Sequence, residues 1–218
     1  MQLTGKKIAF LGDSITEGAG VAEFANVYFN RIAARTGAEV FGYGISGTKI
    51  AAPAPSEDDP CSALYFASRI DGMIPDADVV VVFGGTNDFG WGNAPLGCMA
   101  DRTETTFYGA YHMLLQKLII RYPEATLVVM TPLHRLSEDD VDFNEVGVRR
   151  MGPLKVYVQA IREVAEYYGV TVVDLYATCP IQPKVEVLRK RYMPDGLHPN
   201  DAGHALLADR LLSVLSAL

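Results

Sequence analysis

Residues of the types needed to transfer an acyl group stand at widely separated points of the sequence. Ser14 follows Gly12-Asp13, Asn87 follows Gly84-Gly85-Thr86, and Asp195 and His198 lie in Asp195-Gly196-Leu197-His198-Pro199. A serine hydroxyl is a weak nucleophile at neutral pH and needs an adjacent base. Histidine can take that proton and return it to a leaving alcohol. An Asp three residues before a His, with Gly between, allows a tight turn. In such a turn the carboxylate meets one imidazole nitrogen and the other nitrogen is left to face a nucleophile. The Asn87 amide can donate to negative charge developing on a carbonyl oxygen. In Gly44-Ile45-Ser46-Gly47, glycine lets a backbone N–H approach a ligand closely. Two positions have rivals: Ser46 is a second candidate nucleophile and Asp174 a second candidate acid. Neither serine sits in a G-x-S-x-G elbow.

These residues need elements to bring them together. The apolar run Lys7 to Leu11 reads as a buried strand that delivers Ser14 at its end. Ala38–Tyr43, Asp78–Phe83, Ala125–Met130 and Val170–Leu175 read as four more strands, Asp78–Phe83 being β-branched and apolar on both faces. Between them the pattern predicts helices over Glu23–Gly37, Ser62–Met73, Thr103–Arg121 and Pro153–Tyr168. A short helix follows around Lys184–Arg191, and an amphipathic helix over Asp201–Leu215 closes the chain. Long glycine-containing loops are expected over 44–60 and 84–102, and an acidic one over 133–150. Strands alternating with such helices specify a parallel sheet covered on both faces by right-handed crossovers. The expected fold is a three-layer α/β/α sandwich with strand order 2-1-3-4-5, a single domain over 1–218. In such sheets ligands bind at the carboxyl ends of the strands, where the four candidate loops would share one edge.

Composition narrows the partners. The chain has 218 residues, about half apolar, and a formal net charge of −7. That charge argues against a nucleic-acid backbone or an anionic membrane as main partner. The first residues lack the pattern of a signal peptide, and no apolar run approaches the roughly 18 residues of a membrane span. A cytoplasmic location is expected. Cys61, Cys98 and Cys179 form no CxxC or zinc pattern, which favours free thiols. A Cys61–Cys98 link between two loops is the alternative. No His/Asp/Glu set shows metal-ligand spacing.

Gly12-Asp13-Ser14, Gly47, Gly85-Thr86-Asn87-Asp88 and Asp195-Gly196-Leu197-His198-Pro199 resemble, in order and separation, the four blocks of the SGNH hydrolases, also called GDSL esterases and lipases. The resemblance spans nearly the whole chain. It implies a flavodoxin-like sheet and a serine esterase needing no cofactor or metal. It casts Ser14 as nucleophile, His198 as base and Asp195 as the acid that orients it. It casts the backbone N–H groups of Ser14 and Gly47 and the side chain of Asn87 as the oxyanion hole.

The substrate is less sharply drawn. Phe89 and Trp91 flank the third loop, and His134 follows the fourth strand; these are the candidate substrate contacts. A Trp between glycines can stack on a sugar ring, line an acyl pocket, or simply pack the loop. The absence of a long leucine-rich lid argues against a triglyceride lipase. The reading is a small-molecule ester, most simply an acetyl group on a carbohydrate, with the 133–150 loop bordering the pocket. An acyltransferase with the same triad, and a non-catalytic binder of a phosphorylated ligand, are the alternatives. Against the binder, Gly12–Gly18 holds no basic residue and no P-loop. Asp13 is expected to be structural, and His112 and His204 to be helix-face or core residues.

Overall fold

The computed structural model describes residues 1–53, 63–143, 147 and 152–218. β1 (Lys7–Gly12), β2 (Glu39–Gly44), β3 (Val79–Phe83), β4 (Thr126–Met130) and β5 (Thr171–Val173) form one parallel sheet in the order β2-β1-β3-β4-β5. This is the expected architecture. The helices are α1 (Ser14–Glu17), α2 (Tyr28–Thr36), α3 (Phe66–Arg69), α4 (Thr86–Trp91), α5 (Phe107–Arg121), α6 (Leu154–Tyr168), α7 (Leu175–Thr178), α8 (Glu186–Tyr192) and α9 (Asp201–Leu215).

Alternation along the strands splits the core in two. Ala9, Leu11, Val80, Val82 and Val129 face α3, α5 and α6. Ile8, Phe10, Val79, Val81, Phe83, Val128 and Met130 face α2 and α9. All of β3 is buried, which explains why its sequence shows no polar face. Among the described residues, no helix is long and apolar enough to cross a membrane.

Several helices differ from the expectation. The 23–37 helix is broken: a 3-10 turn at Phe24–Asn26 leads into extended Val27, and α2 begins only at Tyr28. The cause is tertiary. Asp201, at the start of α9, accepts from Ala22 N (2.9 Å) and Asn26 Nδ2 (3.0 Å) and holds that segment off the helix axis. The 62–73 helix contracts to α3 and a 3-10 turn at Ile70–Gly72; residue 62 lies outside the described residues. α5 starts at Phe107 because Thr106, not Thr103, caps it, accepting from Gly109 N at 3.2 Å. The 84–102 loop contains α4, hidden by its glycines. The fifth strand stops at Val173 because Asp174 caps α7. The Cys61–Cys98 pairing involves a residue outside the described ones, as do residues 144–146 and 148–151 of the acidic loop.

Register decides the site. Gly12 lies opposite both Gly44 of β2 and Phe83 of β3, and Phe83 lies opposite Met130 of β4. The strands therefore end level, and their following loops rise from one rim. α1 lies directly on the end of β2. A Cβ on Gly44 would sit 2.1 Å from the backbone N of Glu17 and 2.5 Å from the carbonyl carbon of Thr16. Backbone cannot swing aside as a side chain can. Gly44→Ala should therefore cost about 3 kcal/mol of unfolding free energy in urea and displace the helix that carries Ser14.

Candidate active site

Ser14 is held by a short helix that begins at the moment β1 ends. Asp13 is its N-cap, accepting from Ile15 N at 3.0 Å. Ser14 is thus the first helical residue, and its backbone N–H has no intrahelical acceptor. Its side chain is buried except at the rim (7% exposed). Ser14 Oγ lies 3.1 Å from His198 Nε2.

His198 is set by the tight turn before α9. Asp195 Oδ1 accepts from Leu197 N (2.9 Å) and His198 N (2.7 Å), while Oδ2 lies 2.7 Å from His198 Nδ1. Gly196, at φ 80, makes this turn possible. Asn200 then caps α9, accepting from Ala202 and Gly203 N–H. Partial burial would raise the Asp195 carboxyl. The His198 and Leu197 backbone N–H groups, and then the His198 ring, outweigh it and hold the carboxyl below its ordinary range. An ionised carboxylate only accepts, so the Nδ1 facing it carries the proton. Nε2 is left as the acceptor for the Ser14 hydroxyl.

Asn87 lies in the first turn of α4 and is 1% exposed. Its Nδ2 donates to the Thr48 carbonyl (3.0 Å), and its Oδ1 accepts from Trp91 Nε1 (3.0 Å). Gly47 forms the turn of the neighbouring loop, with φ 76. Asp88 grips the same loop: its two oxygens accept from Ile50 N and Ala51 N, each at 2.9 Å. Arg69 ties the strand ends from below, donating to the carbonyls of Tyr43 (2.7 Å) and Gly12 (3.0 Å) and to Thr48 Oγ1 (3.1 Å). Asp88 was visible in the sequence only as part of its block, and nothing in the pattern around Arg69 marks it.

The remaining candidates separate. Ser46 donates its hydroxyl and its N–H to Glu17 Oε2, a carboxylate rather than an imidazole. Asp174 is committed to Arg162 at 2.7 Å and to capping α7. Phe89 is fully buried, edge-on to Tyr157 with ring centroids 6.0 Å apart, so it packs the core rather than facing a ligand. His134 Nδ1 lies 2.6 Å from Glu138 Oε2 and its ring packs on Tyr176. Trp91 does border open space. A cleft of about 450 Å³ beside Asp195 is lined by Trp91, Arg135, Leu136, Ser137, Asp140 and the 195–197 turn. Arg135 and Leu136 carry the fourth loop into place: Arg135 donates to the Thr86 carbonyl (3.1 Å) and Leu136 N to the Gly196 carbonyl (2.8 Å).

Beneath Ser14 lie two buried carboxyls. Burial pushes Asp13 up to about 7, against the Ile15 N–H bond that favours the anion, with Asp88 adding to the rise. Burial pushes Asp88 up to about 6 despite the Ala51 and Ile50 N–H bonds. The folded protein thus holds both protons more tightly than the unfolded chain does. Their stabilisation is complete below about pH 4 and is lost as pH rises through 6 to 7. Asp13→Asn keeps an acceptor for Ile15 and removes one ionisation. Its stability relative to wild type should improve by on the order of 3–4 kcal/mol between about pH 4 and about pH 8, measured by urea unfolding.

The model of the GDSL-like lipase/acylhydrolase family matches residues 10–206. A GDSL lipase of Mycobacterium tuberculosis is 30% identical over 142 residues, 65% of this chain and 52% of that protein. The chain therefore spans about half the length of that curated relative. One crystal structure, 37% identical, covers 100% of this chain and 99% of its own with a TM-score of 0.84. A second, of a protein from Lactobacillus plantarum, is 34% identical, covers 98% of each chain and has a TM-score of 0.81. With a family match running from the middle of β1 into α9, the chain belongs to the GDSL-like lipase/acylhydrolase family.

Proposed function

We propose that the protein is a serine esterase that cleaves small acyl esters, acetyl esters of carbohydrates foremost, through Ser14, His198 and Asp195. The observation that carries this reading is the hydrogen-bonded line from Ser14 Oγ to His198 Nε2 (3.1 Å) and from His198 Nδ1 to Asp195 Oδ2 (2.7 Å). Ser14 Oγ attacks the ester carbonyl carbon as its proton passes to His198 Nε2. The carbonyl oxygen, now negative, is met by the backbone N–H groups of Ser14 and Gly47 and by Asn87 Nδ2. The carbon–oxygen bond to the alcohol breaks, and His198 gives that oxygen the proton. Water then attacks the acyl-Ser14 ester, losing its proton to His198, which returns it to Ser14 Oγ as the carboxylic acid leaves.

The small acyl group is favoured by the cleft. Its lining mixes Trp91 and Leu136 with Ser137 and Asp140 rather than presenting a continuous apolar wall. A long alkyl chain laid there would desolvate the exposed Asp140 carboxylate and the Ser137 hydroxyl without pairing them. Trp91 offers a face for a sugar ring.

The test is hydrolysis of p-nitrophenyl acetate, butyrate and octanoate, with acetylated xylo-oligosaccharides alongside, and an organophosphonate adduct mapped by mass spectrometry. The expected result is kcat/KM falling from acetate to octanoate, with the adduct on Ser14. An adduct elsewhere, or a preference for octanoate, would overturn the nucleophile or the acyl-size assignment respectively.

A further inference from the structure

Trp91 is the only tryptophan in the chain, and it lies one helical turn after Asn87. Its indole N–H donates to Asn87 Oδ1 at 3.0 Å, while Asn87 Nδ2 donates to the Thr48 carbonyl at 3.0 Å. Together these bonds allow the amide only one orientation. Turned by 180°, Oδ1 would face the Thr48 carbonyl, which cannot donate. The NH₂ group would face the indole N–H, which cannot accept. The Asn87–Thr48 contact is buried, with Asn87 1% exposed, so water cannot relieve the clash of two acceptors there. In the observed orientation one Nδ2 hydrogen is spent on Thr48, and the second is the one that the oxyanion reading offers to a substrate oxygen. The indole is itself fixed. Arg135 stands behind it, its guanidinium carbon 6.0 Å from the ring centroid, and the ring borders the cleft.

We propose that Trp91 is a positioning residue: its indole N–H holds the Asn87 amide in the orientation that donates to the oxyanion. This rests on the reading of Asn87 as an oxyanion donor. Trp91 touches no reacting atom in this role. Its contribution therefore belongs to the transition state, where the donor acts, and not to binding of the ground-state ester. A residue that merely lined the cleft would show the reverse, a change in KM with kcat kept.

Trp91→Phe removes the N–H and keeps an aromatic wall. With p-nitrophenyl acetate, kcat should fall about five- to tenfold, the loss of one of two anchors on the amide, while KM stays within about twofold. Asn87→Ala should lose far more, and adding Trp91→Phe to it should cost nothing further, because the group being oriented is gone. Since the chain has one tryptophan, its single indole ¹H–¹⁵N signal reports the bond directly. It should exchange slowly in wild type and faster in Asn87→Ala. If Trp91→Phe unfolds, β-(3-benzothienyl)alanine in place of the one tryptophan removes the N–H and keeps the bicyclic shape, with the same kinetics expected. An unchanged kcat, a change confined to KM, or a full multiplicative loss in the double variant would overturn this proposal alone, provided Asn87→Ala is crippled. Full activity in Asn87→Ala would overturn the oxyanion reading and this proposal together.

Discussion

Ser14→Ala should lower kcat for p-nitrophenyl acetate by about 10⁴- to 10⁶-fold. The hydroxyl is the atom that would form the acyl-enzyme bond, and alanine leaves only water to attack. The structural cost should be small. Ser14 Oγ is bonded to His198 Nε2, and the loss of one rim hydroxyl leaves α1 with its Asp13 cap and its Gly18 stop intact. The melting temperature should therefore move by no more than about 2–4 °C, the shift that about 1 kcal/mol produces in a chain of this size. His198→Ala should lose a similar factor. The double variant should be no worse than either single one, because hydroxyl and base act as one unit and removing half removes the whole. A steady-state assay beside circular dichroism tests all three. Turnover above about one part in a hundred in folded Ser14→Ala would end the acyl-enzyme reading, since one part in about 10⁴ is the most that reading allows.

Asn87→Ala carries the next largest effect, about 10²- to 10³-fold in kcat, the usual loss when one preorganised oxyanion donor is removed. The size follows from burial: a donor already fixed in a nearly dry site needs no reorganisation as charge develops. Stability should fall as well. The variant strands the Thr48 carbonyl and the Trp91 indole N–H, and about 1–3 kcal/mol is typical for a buried polar group left without its partner. The two losses separate experimentally. A thermal melt reads the second, while kcat at a temperature where the variant is folded reads the first. Asn87→Asp restores an acceptor for Trp91 and places a negative charge, or a competing hydroxyl, where the oxyanion would form. Catalysis no better than Asn87→Ala is the expected result, and recovery of wild-type kcat by Asn87→Asp would remove Asn87 from the oxyanion hole.

Much of the fold could be read because its signals are local. Val79 to Phe83 is apolar on both faces, so it had to be a central parallel strand. The helical lengths between strands forced crossovers, and the crossovers forced a parallel sheet. Asp195-Gly196-Leu197-His198 was legible for the same reason: three residues and one glycine suffice to bring a carboxylate onto an imidazole. Phe89 and Trp91 show where that kind of reading stops. Two aromatic residues two positions apart in one short helix face different ways. One is buried against Tyr157 and the other lines the cleft. Which face is which depends on α6 and the 133–140 segment, far away in sequence.

The chain's own pattern of residues determined the strands, the helices between them and the residue types offered at each strand end, because apolar periodicity and glycine placement act over a few residues. The tertiary structure decided how those ends are locked together. Arg69 reaching Gly12, Tyr43 and Thr48, Asp88 holding Ile50 and Ala51, Asp201 breaking the helix before Val27, and Arg135 and Leu136 spanning from Thr86 to Gly196 are contacts between residues tens of positions apart or more. No local pattern encodes such contacts. They exist only once the level strand ends have brought four loops to the same rim.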